Sequence, residues 1–372
     1  MNKSVLITGG AGFIGSHLAD ALLDEGYHVR ALDVLSPQVY GPERKRPGYL
    51  HPDVELVVGD VRDPKDVRNA LRGVDAVFHF AAAVGVGQSM YEIAQYTSTN
   101  NFGTAVLLEA LIERPVERLI VASSMSLYGE GLYLASDGST CAAASRATEQ
   151  LQAGLWEVYD VTGGCLEAVA TPETKAPCPS SVYALSKYDQ ERLCLMVGRA
   201  YNIPTVALRF FNVFGPRQAL SNPYTGVMAI FTSRLLHGEA PLIFEDGCQQ
   251  RDFVSVDDVV QACRLALTVP GAVGNVFNVG SGRRYNVRTI AERIAAVLGK
   301  ECIGPQITGR YRVGDIRHCF ADITLARQVL GYEPRMTLED GLIQFAAWVE
   351  GQMSVDSCAQ AYAELDTRGL TI

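Results

Sequence analysis

Ser4-Val5-Leu6-Ile7-Thr8 is a short, unbroken apolar run, the pattern of a strand buried on both faces of a parallel sheet. Glycines at 9, 10, 12 and 15 interrupt it, and residues 16–23 then repeat at helical period. A second apolar run covers 27–33, a third ends at Gly59-Asp60-Val61, and a fourth covers 76–83, where it closes on Ala81-Ala82-Ala83. Amphipathic helices are predicted at 104–111, 188–200 and 227–236, with further strands at 242–244 and 276–279. Strands alternating with helices through right-handed crossovers predict an α/β fold with a doubly wound parallel sheet.

Composition adds bounds. The chain has 372 residues, 48% apolar and 20% charged, enough for a large core. Its net charge of −9 argues against nucleic acid or an anionic membrane surface as the main partner. An anionic substrate would need locally placed arginines. Nine scattered cysteines without a Cys-x-x-Cys fit a reduced, cytoplasmic protein, and no apolar run reaches the length of a membrane span.

Two local patterns carry chemistry. In the first, a strand, a glycine turn and a helix follow one another. Gly9 and Gly12 would let the backbone approach a pyrophosphate, Gly15 would let helix and strand pack closely, and the helix amino terminus would face the phosphates. Asp33, at the end of the second strand, can accept the ribose hydroxyls of an adenosine and would repel a 2′-phosphate, which favours NAD over NADP. Arg44-Lys45-Arg46 reads as a solvated loop. Asp60 could bond adenine or cap the helix before Pro64. In the second pattern, Tyr183 and Lys187 stand four residues apart in Ser181-Val182-Tyr183-Ala184-Leu185-Ser186-Lys187, one helical turn apart on one face. An ammonium beside a phenol favours the phenolate and would lower its pKa from about 10 toward that of a working base.

Taken together, the motifs resemble the extended short-chain dehydrogenase/reductase family in its nucleotide-sugar epimerase and dehydratase branch. The resemblance runs over roughly residues 1–350, through Gly-x-x-Gly-x-x-Gly at 9–15, Asp33, His79-Phe80-Ala81-Ala82, Asn100, Ser123 to Gly129, Tyr183-x-x-x-Lys187, Arg209 to Arg217 and Gln250 to Val254. It implies a Rossmann-type sheet with a smaller C-terminal substrate lobe. Residues 1–221 and about 252–278 would form the NAD domain, 222–251 and 279–350 the nucleotide-sugar lobe, and 351–372 a tail expected to fray. Tyr183 is then the acid/base, Lys187 holds the nicotinamide ribose, and Ser124 bonds the reacting hydroxyl. Phe13, Ile14, Val61, Phe80, Ala81, Ala82 and Ser123 would line NAD, with Asn100 supporting the cofactor side. Asn212, Arg251 and Arg312 would contact the substrate diphosphate and Asp315 the nucleotide ribose, with Val84, Ser126, Arg217 and Asn222 also at the substrate.

Dehydratases of the branch carry Asp and Glu where this chain has Met125 and Ser126, neither of which protonates a leaving hydroxyl. Xylose-forming decarboxylases usually keep a Glu at the second of these places, and reductases tend to use NADPH. The resemblance therefore implies 4-epimerisation of a nucleotide-diphospho-sugar through a 4-keto intermediate with retained NAD. Residues 83–91 and 217–226, with a long insertion, look like the subgroup that interconverts dTDP-L-rhamnose and dTDP-6-deoxy-L-talose. A UDP-hexose or UDP-hexuronate remains an alternative sugar. An NADPH-dependent ketoreductase and a non-catalytic NAD-binding regulator are alternative functions.

The insertion, about 130–180, contains Cys141, Cys165, Cys178 and a helix-like stretch at 145–151. Without close cysteine pairs it reads as a metal-free lid or surface lobe. In the family, helices such as those at 104–111 and 188–200 pair across a two-fold axis, implying a homodimer.

Overall fold

The computed structural model describes residues 3–141, 145–220, 222, 226–350, 352 and 358–371. At its centre is a seven-stranded sheet. The strands are β1 (Ser4–Thr8), β2 (His28–Asp33), β3 (Glu55–Val58), β4 (Ala76–His79), β5 (Arg118–Ser124), β6 (Thr205–Phe210) and β7 (Val276–Val279). Their order is β7-β6-β5-β4-β1-β2-β3, and every pairing is parallel. The chain reverses direction across the sheet between β1 and β4, so a crevice opens at the carboxyl ends of these two strands.

The apolar runs are continuous because both faces are covered. Along β1, Val5 and Ile7 join one core cluster with Leu18 and Leu22 of helix α1 (Phe13–Asp24). Leu6, between them, joins the opposite cluster with Leu107 and Leu111 of α2 (Gly103–Glu113). The two-residue period of the strand divides each run between the two faces. Helix α3 (Val182–Ala200) packs on β5 and β6 and carries Tyr183 and Lys187 in its first two turns. Its amino terminus is capped by Ser181, whose side chain accepts from the Ala184 N–H. The fourth strand is shorter than its apolar run: it ends at His79, and Phe80 to Ala83 leave the ladder to line the crevice.

A smaller lobe forms around a separate core. Met228 and Phe231 of α4 (Val227–Leu236), Ile290 and Ile294 of α5 (Val287–Val297), and Leu342 and Phe345 of α6 (Leu338–Val349) meet there. Residues 276–282 give the edge strand and a turn whose Ser281 and Gly282 N–H groups donate to buried Asp252.

The insertion contains a three-stranded antiparallel sheet of Leu132–Leu134, Thr140–Cys141 and Glu167–Val169, and its helix runs Thr148–Gln152. It packs on the smaller lobe, where Tyr133, Val158, Leu166 and Ala168 enclose Phe320. A buried ionic cluster joins the same surfaces. Arg146 pairs with Glu130 at 3.3 Å and Glu245 at 2.7 Å, and Arg317, fully buried, pairs with Glu157, Glu245 and Asp246 at 2.5–2.9 Å. Among the described residues, no group of three or more His, Cys, Asp or Glu side chains could hold a metal, and no helix is long and apolar enough to cross a membrane. The expected fraying of the tail does not extend to residues 358–371, while 351, 353–357 and 372 lie outside the described residues. A helix, α7 (Cys358–Thr367), docks against the body of the protein and buries Ala361 and Leu365, because Leu365 finds an apolar surface at Gly87.

Candidate active site

A cleft of about 880 Å³ runs from the glycine turn across the sheet edge to the smaller lobe. At one end, Gly9 has φ +70° and its added Cβ would lie 3.0 Å from the Ala81 nitrogen, so only glycine fits without strain. Gly15 is more constrained: a Cβ there would lie 2.6 Å from the Gly9 carbonyl oxygen and 2.7 Å from the Gly10 Cα. The first turn of α1 has no side-chain cap, and its residues Phe13, Ile14 and Gly15 line the cleft. This cradle fits a dinucleotide pyrophosphate. Gly15→Ala is expected to spread helix from turn and yield protein depleted of NAD, measured as cofactor released on denaturation; full NAD content would show that the turn tolerates the methyl group.

Asp33 lines the same end. Its carboxylate accepts from the Ala11 N–H at 3.1 Å, the Leu35 N–H at 2.9 Å and the Tyr40 hydroxyl at 3.1 Å. Burial raises its pKa, and these three donors oppose the rise. Tyr40 has no signal in the sequence, since its role depends on the chain folding back seven residues later. The loop after it is exposed, as expected, but Arg44 returns to the cleft edge and donates to the Val34 and Leu35 carbonyls. Asp60 lines the cleft and pairs with Arg62 at 2.5 Å, which holds its pKa below the usual carboxylate value. The helix cap before Pro64 is Asp63, which accepts from the Lys65 N–H, not Asp60. Phe13, Ile14, Val61, Phe80, Ala81, Ala82 and Ser123 also line this part. Asn100 does not. It is fully buried, exchanges hydrogen bonds with both backbone groups of Ala83, and donates to Ser186, whose hydroxyl bonds the Tyr183 carbonyl. It therefore shapes the wall and ties it to α3 without facing the cleft.

Midway along the cleft, Ser124, Tyr183 and Lys187 share one wall. The Ser124 hydroxyl lies 2.8 Å from that of Ser126. The Tyr183 ring meets Tyr96 edge-on at 6.4 Å, and its backbone N–H donates to Ser89. The helical spacing brings phenol and amine to the same wall, but the expected pKa depression of Tyr183 is absent. Burial pushes the phenol above its usual pKa, and the Ser124 hydrogen bond counters this only in part. The amine is turned to Gln190, with Nζ donating to Oε1 at 2.6 Å, and burial pushes its own pKa down to about 8. Gln190, three residues further along the same helix, was legible as a neighbour of Lys187 and was missed. Its amide donates to Thr104, which with Thr8 flanks the buried His79 ring.

Ser126, Val84, Asn212, Asn222, Arg251, Arg312 and Asp315 also line the cleft, with Ser126 beside Ser124 and Asn222 accepting from Gln38. The Arg251 guanidinium donates to the carbonyls of Gln250, Ile316 and Arg317, and no carboxylate among the described residues pairs with it. Among the described residues, the buried Asn212 Oδ1 finds no hydrogen-bond donor. Arg312 is already paired with Asp315 at 2.8 Å and lies over the Phe244 ring at 5.0 Å. Arg217 does not line the cleft. Its left-handed backbone, φ +67°, sends the guanidinium to Asp20 at 2.7 Å and over Tyr49.

Residues 5–280 match the model of the NAD dependent epimerase/dehydratase family. The chain belongs to this family. Its cofactor is NAD. It is 33% identical to a dTDP-L-rhamnose 4-epimerase of Burkholderia thailandensis, over 94% of this chain and 96% of that protein. Its fold is similar to that of a UDP-glucose 4-epimerase of Thermotoga maritima solved with UDP-glucose, at 32% identity and TM-score 0.76, covering 93% of this chain and 98% of that one. It is also similar to a UDP-glucuronic acid 4-epimerase of Bacillus cereus solved with UDP-glucuronic acid and NAD, at 27% identity and TM-score 0.75, covering 93% and 99% of the two chains.

Proposed function

We propose that this family member is a 4-epimerase of a nucleotide-diphospho-sugar, and that its sugar is dTDP-L-rhamnose, interconverted with dTDP-6-deoxy-L-talose. The observation that carries the reaction is the placement of Tyr183 and Ser124 midway along the cleft. A glycine cradle for a dinucleotide lies on one side, and the Arg251 guanidinium, without a carboxylate partner among the described residues, lies on the other. The Tyr183 phenol and Ser124 hydroxyl hold the proton of the sugar hydroxyl. NAD, when bound, supplies the hydride acceptor and, once reduced, the donor. Arg251, Arg312 and Asn212 grip the diphosphate, since a guanidinium fork matches phosphate oxygens. The sugar beyond them stays free to present either face. Met125 and Ser126 offer no carboxyl group for removing water, which favours epimerisation over dehydration.

The sugar rests on the likeness to the Burkholderia protein, and the UDP-hexose alternative on the likeness to the Thermotoga one. Incubation with a panel of nucleotide sugars without added cofactor, followed by NMR, is expected to give dTDP-6-deoxy-L-talose from dTDP-L-rhamnose. Galactose or galacturonate nucleotides formed instead would keep the reaction and change the substrate. Cofactor-free protein that oxidises added NADPH would replace the epimerase with a reductase.

The cytoplasm is the compartment that fits the proposed substrate. A homodimer through α2 and α3 is part of the same reading, since Phe102, Leu185 and Met196 expose apolar surface on or beside these helices. A monomeric mass by light scattering would discard it.

A further inference from the structure

The C-terminal helix α7 lies beyond the region matched by the family model, yet Ala361, Tyr362 and Leu365 line the cleft. We infer that α7 is the wall of the nucleotide end of the substrate site and that Tyr362 is the side chain against which the nucleobase packs. The inference rests on the nucleotide-sugar reading above.

The helix is held from both sides. On the cofactor side, the Tyr91 hydroxyl donates to Glu364 at 2.9 Å, the Arg368 guanidinium lies 4.3 Å over the Tyr91 ring, and Leu365 closes on Gly87. On the lobe side, Arg310 pairs with Asp366 at 2.5 Å and the Val313 N–H donates to the Leu370 carbonyl at 3.0 Å. Thr371 also forms an antiparallel bridge with Arg312. The tail therefore spans the cleft mouth and fixes the backbone of one of the two arginines proposed for the diphosphate.

The chemistry of the exposed wall is aromatic. The Tyr362 ring is 5.5 Å from that of Phe244, tilted by 55°, and Phe244 carries the Arg312 guanidinium on its face. With a sugar at Ser124 and Tyr183 and its diphosphate at Arg251 and Arg312, the next group of the substrate reaches Phe244 and Tyr362. That group is a flat base, and aromatic faces take it with little sequence preference. The site thereby selects a nucleoside diphosphate over a bare diphosphate.

The test is a calorimetric titration of NAD-loaded protein with dTDP and with inorganic pyrophosphate. Tyr362→Ala is expected to weaken dTDP binding roughly tenfold. Pyrophosphate binding, NAD content and melting temperature should stay unchanged, and Tyr362→Phe should restore dTDP binding. Equal dTDP affinity in Tyr362→Ala and the unaltered protein would overturn the inference, as would an equal loss for both ligands. If Tyr362→Ala melts early, Tyr362→Leu keeps the bulk without the ring and reads the same difference. An unaltered protein that binds neither ligand would overturn the nucleotide-sugar reading itself, an outcome distinct from a variant that matches it.

Discussion

Tyr183→Phe is expected to lower turnover by roughly a thousandfold while leaving NAD bound. The phenolic oxygen is the only atom removed, and Ser124 keeps its place, since its hydroxyl is also bonded to Ser126. The glycine cradle and Asp33 lie elsewhere in the cleft, so cofactor content measured after denaturation should match the unaltered protein. Burial holds the Tyr183 pKa above its usual value, and the nearby amine is occupied by Gln190. A charge brought by the ligands would add to that of the Lys187 ammonium in favouring the phenolate. Oxidised nicotinamide is cationic, and its arrival in this low-dielectric wall would favour the phenolate. A variant that still turns over substrate at a tenth of the normal rate would show that another group moves the proton.

Arg209→Met is expected to destabilise the protein by about 3–5 kcal/mol, read from urea or guanidinium unfolding. Arg209 on β6 forms a bidentate pair with Glu191 of α3, with contacts of 2.9 and 2.7 Å, and also donates to the Tyr128 hydroxyl at 2.7 Å. Glu191 is fully buried. Without the guanidinium its carboxylate would keep only the Ser123 hydroxyl, at 2.6 Å, as a side-chain donor among the described residues, and a buried unpaired charge is costly. Removing both partners, as Arg209→Met with Glu191→Leu, should recover much of the loss, since two apolar groups replace two desolvated charges. A double variant as unstable as the single one would show that packing around the pair, not its charge, holds α3 on the sheet.

What was legible in the sequence is what neighbouring residues decide among themselves. β1, the glycine turn and α1 are one continuous stretch, so period and spacing sufficed. The same holds for Tyr183 and Lys187, which one helical turn brings to one wall. What failed depends on partners distant in sequence. The direction of the Tyr183 pKa follows from how the whole cleft desolvates it, which no spacing reports. Arg217 sits in a motif read as substrate-facing, but a left-handed backbone residue turns it to Asp20. Arg146 and Arg317 meet Glu245 across separations of 99 and 72 residues, and nothing local marks them. The tail lacks a motif because its anchors, Tyr91 and Arg310, belong to other segments.

The ionic cluster beneath the insertion has a consequence for exchanging parts between relatives. Glu245 serves Arg146 from the insertion and Arg317 from the smaller lobe at once, and the Arg146 guanidinium also reaches the Asp315 carbonyl beside the cleft. Transplanting residues 130–180 from another enzyme would strand acids on the recipient side, so the segment is a modular part only together with Glu245, Asp246 and Arg317.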